Sequence, residues 1–342
     1  MKTRAAILTK VGAPAPYATS RPLEITDVEL APPGPGEVLL RMKAAGLCHS
    51  DLSVIDGNRP PPLPLALCHC MPCESGRPAL CEPGLAANTA GTLLGGARRI
   101  THGGAPIHHH LGVSAFAEYA TVSRNSVVKV DRSLGFAEAA VFGCAVITGT
   151  GAVINTADLP LHRSVAVIGL GGVGLAALLG ARVREAHTVV AVDLSTKKLS
   201  LAKSLGATHT FDAASGDVVE AVRAATNGGV EYAFEMAGSV KAMELAYKIT
   251  RRGGTTVTAG LSHPQAMFSI PHVGIVAEER TIKGSYLGSC VPSRDIPRYV
   301  EWYQQGKLPV DRLLSETIAL EEINAGFDRL ASGETLRQTI AL

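Results

Sequence analysis

Four stretches of this 342-residue chain carry residues that could do chemistry, and the longest is SVAVIGLGGVGLAALLGARVREAHTVVAVD, residues 164–193. An apolar, β-prone run meets Gly169, Gly171, Gly172 and Gly174, with Val173 between the last two. An apolar, helix-prone segment follows, and a second β-branched run ends on Asp193. Strand, tight turn, helix, strand and acid in that order form a dinucleotide-binding fingerprint, far more specific than a glycine pattern alone. Gly169 permits the turn, Gly171 lets a pyrophosphate approach the backbone, and Gly174 lets helix and strand pack closely. The phosphates would lie at the helix N-terminus, where free N–H groups and the positive dipole end favour an anion. Asp193, nineteen residues past Gly174, is spaced to meet a ribose 2′-hydroxyl and repels a 2′-phosphate, so the expected cofactor is NAD rather than NADP. The competing readings are a packed βαβ unit that merely contains glycines, or a membrane span. Five glycines within residues 164–181, closed by Arg163 and Arg182, argue against the span.

The other three stretches are GLCHSD (46–51), CHCMPCESGRPALC (68–81) and FGCAVITGTGA (142–152). The chain has seven cysteines, an odd number, and four of them fall in residues 68–81. Clustered cysteines without a secretory leader bind metal more often than they pair as disulfides. The N-terminal MKTRAAILTK lacks the apolar core and cleavage site of a signal peptide. A net charge of +2 with no basic run gives no sign of nucleic-acid binding. A second uncharged stretch, residues 139–157, is interrupted by Gly143, Gly149, Gly151 and Asn155 and reads as a buried helix. The expectation is a soluble, cytoplasmic protein with no membrane or nucleic-acid partner.

The elements that must hold these residues differ along the chain. Roughly the first 65 residues alternate apolar and polar in short pieces broken by Pro and Gly, which suggests a small β-barrel-like domain. RPPPLPLAL (59–67) reads as a loop into the cysteine cluster, and AFAEYATVSRNSVVKV (115–130) returns to strand-like alternation. From Ser164, strand-like runs (SVAVIG, TVVAVD, THTFD, VEYAFEM, TTVTAG) alternate with helix-like ones. That alternation predicts a doubly wound parallel sheet with its ligand at the switch point. A helix over residues 294–305, then LEEINAGFDRLASGE and LRQTIAL, read as the first domain resumed. The expected division is residues 1–147, a dinucleotide-binding domain over 148–286, and a return over 287–342.

Taken together, these motifs resemble the zinc-containing medium-chain alcohol dehydrogenases, from AAGLCHSDL through HLGVSAFAEYATV and GLGGVG to SGETLRQTIAL. The resemblance implies an α/β fold: a Rossmann sheet plus a β-rich, GroES-like catalytic domain. It implies a catalytic zinc on Cys48, Cys144 and an imidazole, and a lobe zinc on four thiolates. The imidazole belongs to a Gly-His-Glu motif, where this chain reads Cys68-His69-Cys70. The lobe pattern C-x2-C-x2-C-x7-C is also altered: Cys70, Cys73 and Cys81 keep their spacing, and Cys68 stands one residue too close. Several tens of residues between the two motifs are missing, so the catalytic domain is expected to be partly truncated. Either His69 is the catalytic ligand while Cys68 still reaches the lobe, or the cluster makes only a lobe. The structural zinc is favoured over the catalytic one on ligand count.

The resemblance further implies roles for single residues. Ser50 would take the substrate proton, and Asp51 would hydrogen-bond the imidazole ligand. Ser53 stands where a relay histidine is usual. His49 and Arg337 would meet the pyrophosphate, Thr148 would pack near the nicotinamide, and Lys198 would touch the adenosine ribose. His108, His109 and His110 match a strand entry, and alternating faces keep three consecutive histidines from reaching one ion, so structure is expected of them. Cys290 reads as a plain thiol. The implied activity is oxidation of primary or secondary alcohols, or the reverse reduction, in a homodimer or homotetramer. The rivals are a zinc-free medium-chain reductase and a chain that binds NAD without turnover because of the missing segment.

Overall fold

The structure is a computed structural model that describes residues 1–58, 70–333 and 335–342. Along the chain lie β1 (Lys2–Leu8), β2 (Leu23–Leu30), β3 (Glu37–Arg41), β4 (Ala44–Gly46), β5 (Ile100–His102), β6 (Ala105–Ile107) and β7 (Tyr119–Ser123). They are followed by β8 (Ser164–Ile168), β9 (Thr188–Asp193), β10 (His209–Asp212), β11 (Val230–Glu235), β12 (Thr250–Thr258) and β13 (Thr281–Gly284). The last two are β14 (Leu314–Ala319) and β15 (Arg337–Ala341). The chain divides into two compact units: Met1–Val141 with Leu314–Leu342, and Phe142–Leu313.

In the second unit the expected doubly wound sheet forms. Its order is β10-β9-β8-β11-β12-β13, and every pair is parallel. The order reverses beside β8, which opens a ligand crevice at the carboxyl ends of β8 and β11. All five residues of β8 are buried, as a parallel strand covered on both faces requires. Helices Gly172–Val183, Thr196–Ser204, Val218–Ala225 and Val240–Ile249 supply the crossovers. Val190, Val192, Val222, Ala246 and Ile249 fill a core beside the sheet.

The uncharged stretch is helical, with a π-helical turn at Phe142–Val146, an α-helical turn at Ile147–Gly151 and a second π-helical turn at Ala152–Thr156. Helical residues Phe136–Thr156 are long and apolar enough to cross a membrane, but 56% of their most apolar window is buried in the protein. Close packing explains the glycines here. A Cβ on Gly149 would lie 2.0 Å from the Val173 carbonyl oxygen, so only glycine lets this helix cross the one that follows β8. Beside it, Thr150 Oγ1 donates to the Ala176 carbonyl at 3.1 Å. Helix Pro292–Gln304 packs on this same segment rather than with the returning C-terminus as expected. Its buried Asp295 accepts from Val291 N–H at 2.9 Å and from Asn155 Nδ2 at 3.1 Å.

The first unit is strand-rich, as its turn spacing predicts. β1-β2-β5-β6 forms an antiparallel sheet, β14-β15-β4 a mixed one in which β14 and β15 are parallel, and β3 pairs antiparallel with β7. Its core joins Leu23, Leu47, Leu52 and Ile55 to Ile318, Ile323, Phe327 and Ile340, which is why the C-terminal segment must return to it. Asp328 secures that return by accepting from the N–H groups of Tyr17 at 2.6 Å and Ala18 at 2.8 Å.

Candidate functional site

The fingerprint turn has the geometry that the glycines foretell. Gly169 has φ +87°, and a Cβ on it would come within 2.7 Å of Ala237. A Cβ on Gly174 would lie 1.8 Å from the Gly169 carbonyl oxygen. A Cβ on Gly171 would meet open space, so the backbone there is approachable from outside. Gly172 and Val173 open the helix, so its first N–H groups face the same side as the turn. Asp193 ends β9 with Oδ2 accepting from Leu170 N–H at 2.6 Å and Oδ1 accepting from Ser195 N–H at 2.9 Å. The acid is therefore fixed to the glycine turn itself, and each oxygen keeps a lone pair for a further donor.

Three more residues of the second unit were singled out. Thr148 is buried in the helix that crosses the fingerprint helix. Lys198 is half-buried in the first turn of helix Thr196–Ser204, its N–H donating to Ser195 Oγ at 3.4 Å. Cys144 is half-buried in the π-helical turn, a departure from α-helix that is frequent at functional sites.

In the first unit, β4 leads into helix His49–Ile55 and Cys48 is its N-cap. Cys48 Sγ accepts from Ser50 N–H at 3.5 Å, and Asp51 Oδ2 accepts from Cys48 N–H at 2.9 Å. Asp51 is buried, and its Oδ1 lies 2.9 Å from His110 Nε2. Burial pushes the Asp51 carboxyl up from its ordinary value, while the bond from His110 opposes that rise. His49 is exposed and Ser50 half-buried; Ser53 Oγ donates to the Ser50 carbonyl at 2.8 Å. Arg337 is buried at the start of β15, and a Cβ on Gly46 of β4 would lie 3.7 Å from its Nε.

The lobe cysteines converge. The sulfurs of Cys70, Cys73 and Cys81 lie within 4.8 Å of one another. Tetrahedral zinc with ~2.3 Å bonds spaces thiolates by about 3.8 Å, so the three fit one ion after small shifts. Cys68 and His69 lie outside the described residues.

The three consecutive histidines separate by face: His108 is exposed, His109 buried and His110 half-buried. His109 Nε2 accepts from Arg99 N–H at 3.0 Å, and burial lowers its pKa to about 4, so it is a neutral core histidine as expected. The meeting of His110 with Asp51 was missed by sequence reasoning. The two residues are 59 positions apart, and no periodicity links them.

Comparison with known proteins now decides the family. A family profile described as "Alcohol dehydrogenase GroES-like domain" matches residues 34–132, and one described as "Zinc-binding dehydrogenase" matches residues 172–305. The chain is 32% identical to the S-(hydroxymethyl)glutathione dehydrogenase of Paracoccus denitrificans, covering 99% of this chain and 100% of that protein. This chain belongs to the zinc-containing medium-chain alcohol dehydrogenases. The alignment with that relative runs over 382 positions against the chain's 342 residues, so this alcohol dehydrogenase is the shorter protein. The crystal structure of an alcohol dehydrogenase zinc-binding domain protein from Burkholderia ambifaria superposes with a TM-score of 0.93 at 31% identity, covering 100% of this chain and 99% of that one. Benzyl alcohol dehydrogenase from Acinetobacter calcoaceticus superposes at 0.92 with 29% identity, over 100% of this chain and 99% of that one. The fold and the oxidoreductase class follow from this kinship, and the matching family is one of zinc-binding dehydrogenases.

Proposed function

We propose that this enzyme is an NAD-dependent alcohol dehydrogenase, interconverting primary or secondary alcohols with their aldehydes or ketones. The supporting observation is Asp193, a carboxylate fixed by Leu170 N–H to the turn that would hold the pyrophosphate. A negative charge there accepts from a ribose 2′-hydroxyl and opposes a 2′-phosphate. Gly169, Gly171, Gly172, Val173 and Gly174 hold the pyrophosphate, and His49 and Arg337 meet it. Thr148 packs near the nicotinamide and Lys198 near the adenosine ribose. When bound, NAD accepts the hydride from the alcohol carbon.

Cys48 and Cys144 are the thiolate ligands of the catalytic zinc, with His69 the imidazole that the resemblance offers. Cys70, Cys73 and Cys81, with Cys68, hold the lobe zinc. When bound, the catalytic zinc lowers the pKa of the alcohol as a Lewis acid. Ser50 takes the proton so released. Ser53 Oγ–H is already committed to the Ser50 carbonyl, so the proton needs water or another exit from Ser50. The enzyme is cytoplasmic and works as a homodimer or homotetramer.

Cofactor choice is tested by NADH and NADPH titration of Asp193→Ala. NADH affinity should fall about tenfold, the loss of one good hydrogen bond to a charged group, while NADPH affinity holds or rises. Equal loss for both would remove the ribose role. The shortfall in length favours one second reading, an NAD-binding chain without turnover. Thermal protection by NADH, with no alcohol-dependent NADH formation, selects it.

A further inference from the structure

Glu235, the last residue of β11, is 1% exposed, and its carboxylate gathers three donors. Oε1 accepts from the N–H groups of Ala237 at 2.8 Å and Gly238 at 2.6 Å, and Oε2 accepts from Thr258 Oγ1 of β12 at 2.7 Å. Main-chain bonds join the same place. The Glu235 carbonyl accepts from Ala259 N–H at 3.0 Å, and Met236 N–H donates to the Ile168 carbonyl of β8 at 2.8 Å. The exits of β8, β11 and β12 are therefore tied together at the end of the sheet where the crevice opens. Contacts there leave no slack. A Cβ on Gly169 would lie 2.7 Å from the Ala237 nitrogen, and one on Gly260 would lie 2.2 Å from the Gly238 nitrogen and 2.6 Å from Glu235 Oε2.

We propose that Glu235 is the positioning residue of the cofactor turn: it sets Ala237 against Gly169 and so fixes the backbone that receives the pyrophosphate. This rests on the dinucleotide reading above. Glu235 acts through Ala237 and not by touching the cofactor. The need for it follows from the course of the chain. Beyond Glu235 the backbone leaves the sheet, so the N–H groups of Ala237 and Gly238 have no strand beside them to accept their bonds. One carboxylate oxygen takes both, and a charged acceptor makes shorter, stronger bonds than a neutral one. Burying a carboxylate is costly, and a buried charge is a poor way to stabilise a fold. Such an exception at the mouth of a ligand crevice fits a backbone that must be held in one geometry.

The test is hydrogen exchange of the full-length protein without ligand, together with calorimetric titration by ADP-ribose, which carries the pyrophosphate without the nicotinamide. Glu235→Ala should speed exchange over residues 169–174 and 236–238 about tenfold or more, with the interiors of β8 and β9 unchanged. It should weaken ADP-ribose about tenfold. Glu235→Gln keeps an oxygen for both N–H groups, while the Thr258 hydroxyl turns to accept from the amide. That variant should rescue both readings to within about threefold of wild type. Thr258→Val withdraws one donor of the three and should move both readings at the same places by about threefold. Where Glu235→Ala does not fold, Thr258→Val decides. Exchange sped evenly through β8 and β9 would make Glu235 a support of the whole sheet and overturn the proposal. So would undiminished ADP-ribose affinity in a folded Glu235→Ala or, where that variant does not fold, in Thr258→Val. Wild type that binds neither ADP-ribose nor NADH would overturn the dinucleotide reading, and this assignment with it.

Discussion

The turn at Gly169–Gly174 and the cluster around Asp51 are both built on a carboxylate that accepts a backbone N–H, yet the sequence announces only one of them. Asp193 reaches Leu170 across 23 positions, inside a single βαβ unit whose strand order and glycine spacing dictate where its ends meet. Asp51 reaches His110 across 59 positions, between segments brought together by separate sheets. Local geometry can be read from a fingerprint; a partner supplied by long-range packing cannot. The cysteine lobe stands between these cases, since Cys70, Cys73 and Cys81 are close in sequence and their spacing foretold their meeting.

The comparison can be broken most forcefully at the lobe. Structural zinc sites contribute folding energy outright, with apparent binding of ~10–16 kcal/mol in isolated zinc-finger peptides. Cys73→Ser, or exhaustive chelation, should therefore abolish the thermal transition of the first unit and leave an NADH-protected transition for the second. Loss of both transitions together would show that the units do not melt separately. Next in size is Gly174→Val. The side chain would be driven into the Gly169 carbonyl, and overpacking of this kind costs about 3 kcal/mol or more, which calorimetry should record as a Tm lower by roughly 6–12 °C together with lost NADH protection. An unchanged melt would mean that the tight turn does not define the second unit.

The smallest expected effect lies at Glu231. Desolvation pushes its carboxyl up, but Ser164 N–H, Arg163 and Arg251 outweigh that and hold it below the ordinary 4.5. Its stabilisation is present above that value and is lost as pH falls below it. Glu231→Gln should flatten the acid limb of the stability curve, measured by urea unfolding between neutral and acid pH. An unchanged limb would place the acid sensitivity elsewhere.

What was legible follows period and proximity. The alternating runs from Ser164 onward gave the strands and crossovers of a parallel sheet because each crossover is local in sequence. The alternation of His108 and His109 between solvent and core followed from the two-residue repeat of extended chain. Helix Pro292–Gln304 was legible as a helix but not by location, because its buried contacts, among them Asn155 on Asp295, come from more than a hundred residues away. The fold of the first unit was legible in kind, strand-rich and completed by the C-terminus. The pairing of β14 and β15 with β4 depended on a core that the pattern alone does not reveal.

The bond between Asp51 and His110 also bears on how such a chain could shed residues. It fastens segments upstream and downstream of positions 59–69, and β2 with β5 and β3 with β7 are laced across the same interval. None of these fastenings runs through that interval. A gene could therefore shorten there and still close a seam on either side of the cut, leaving the nucleotide-holding half to evolve under its own constraints.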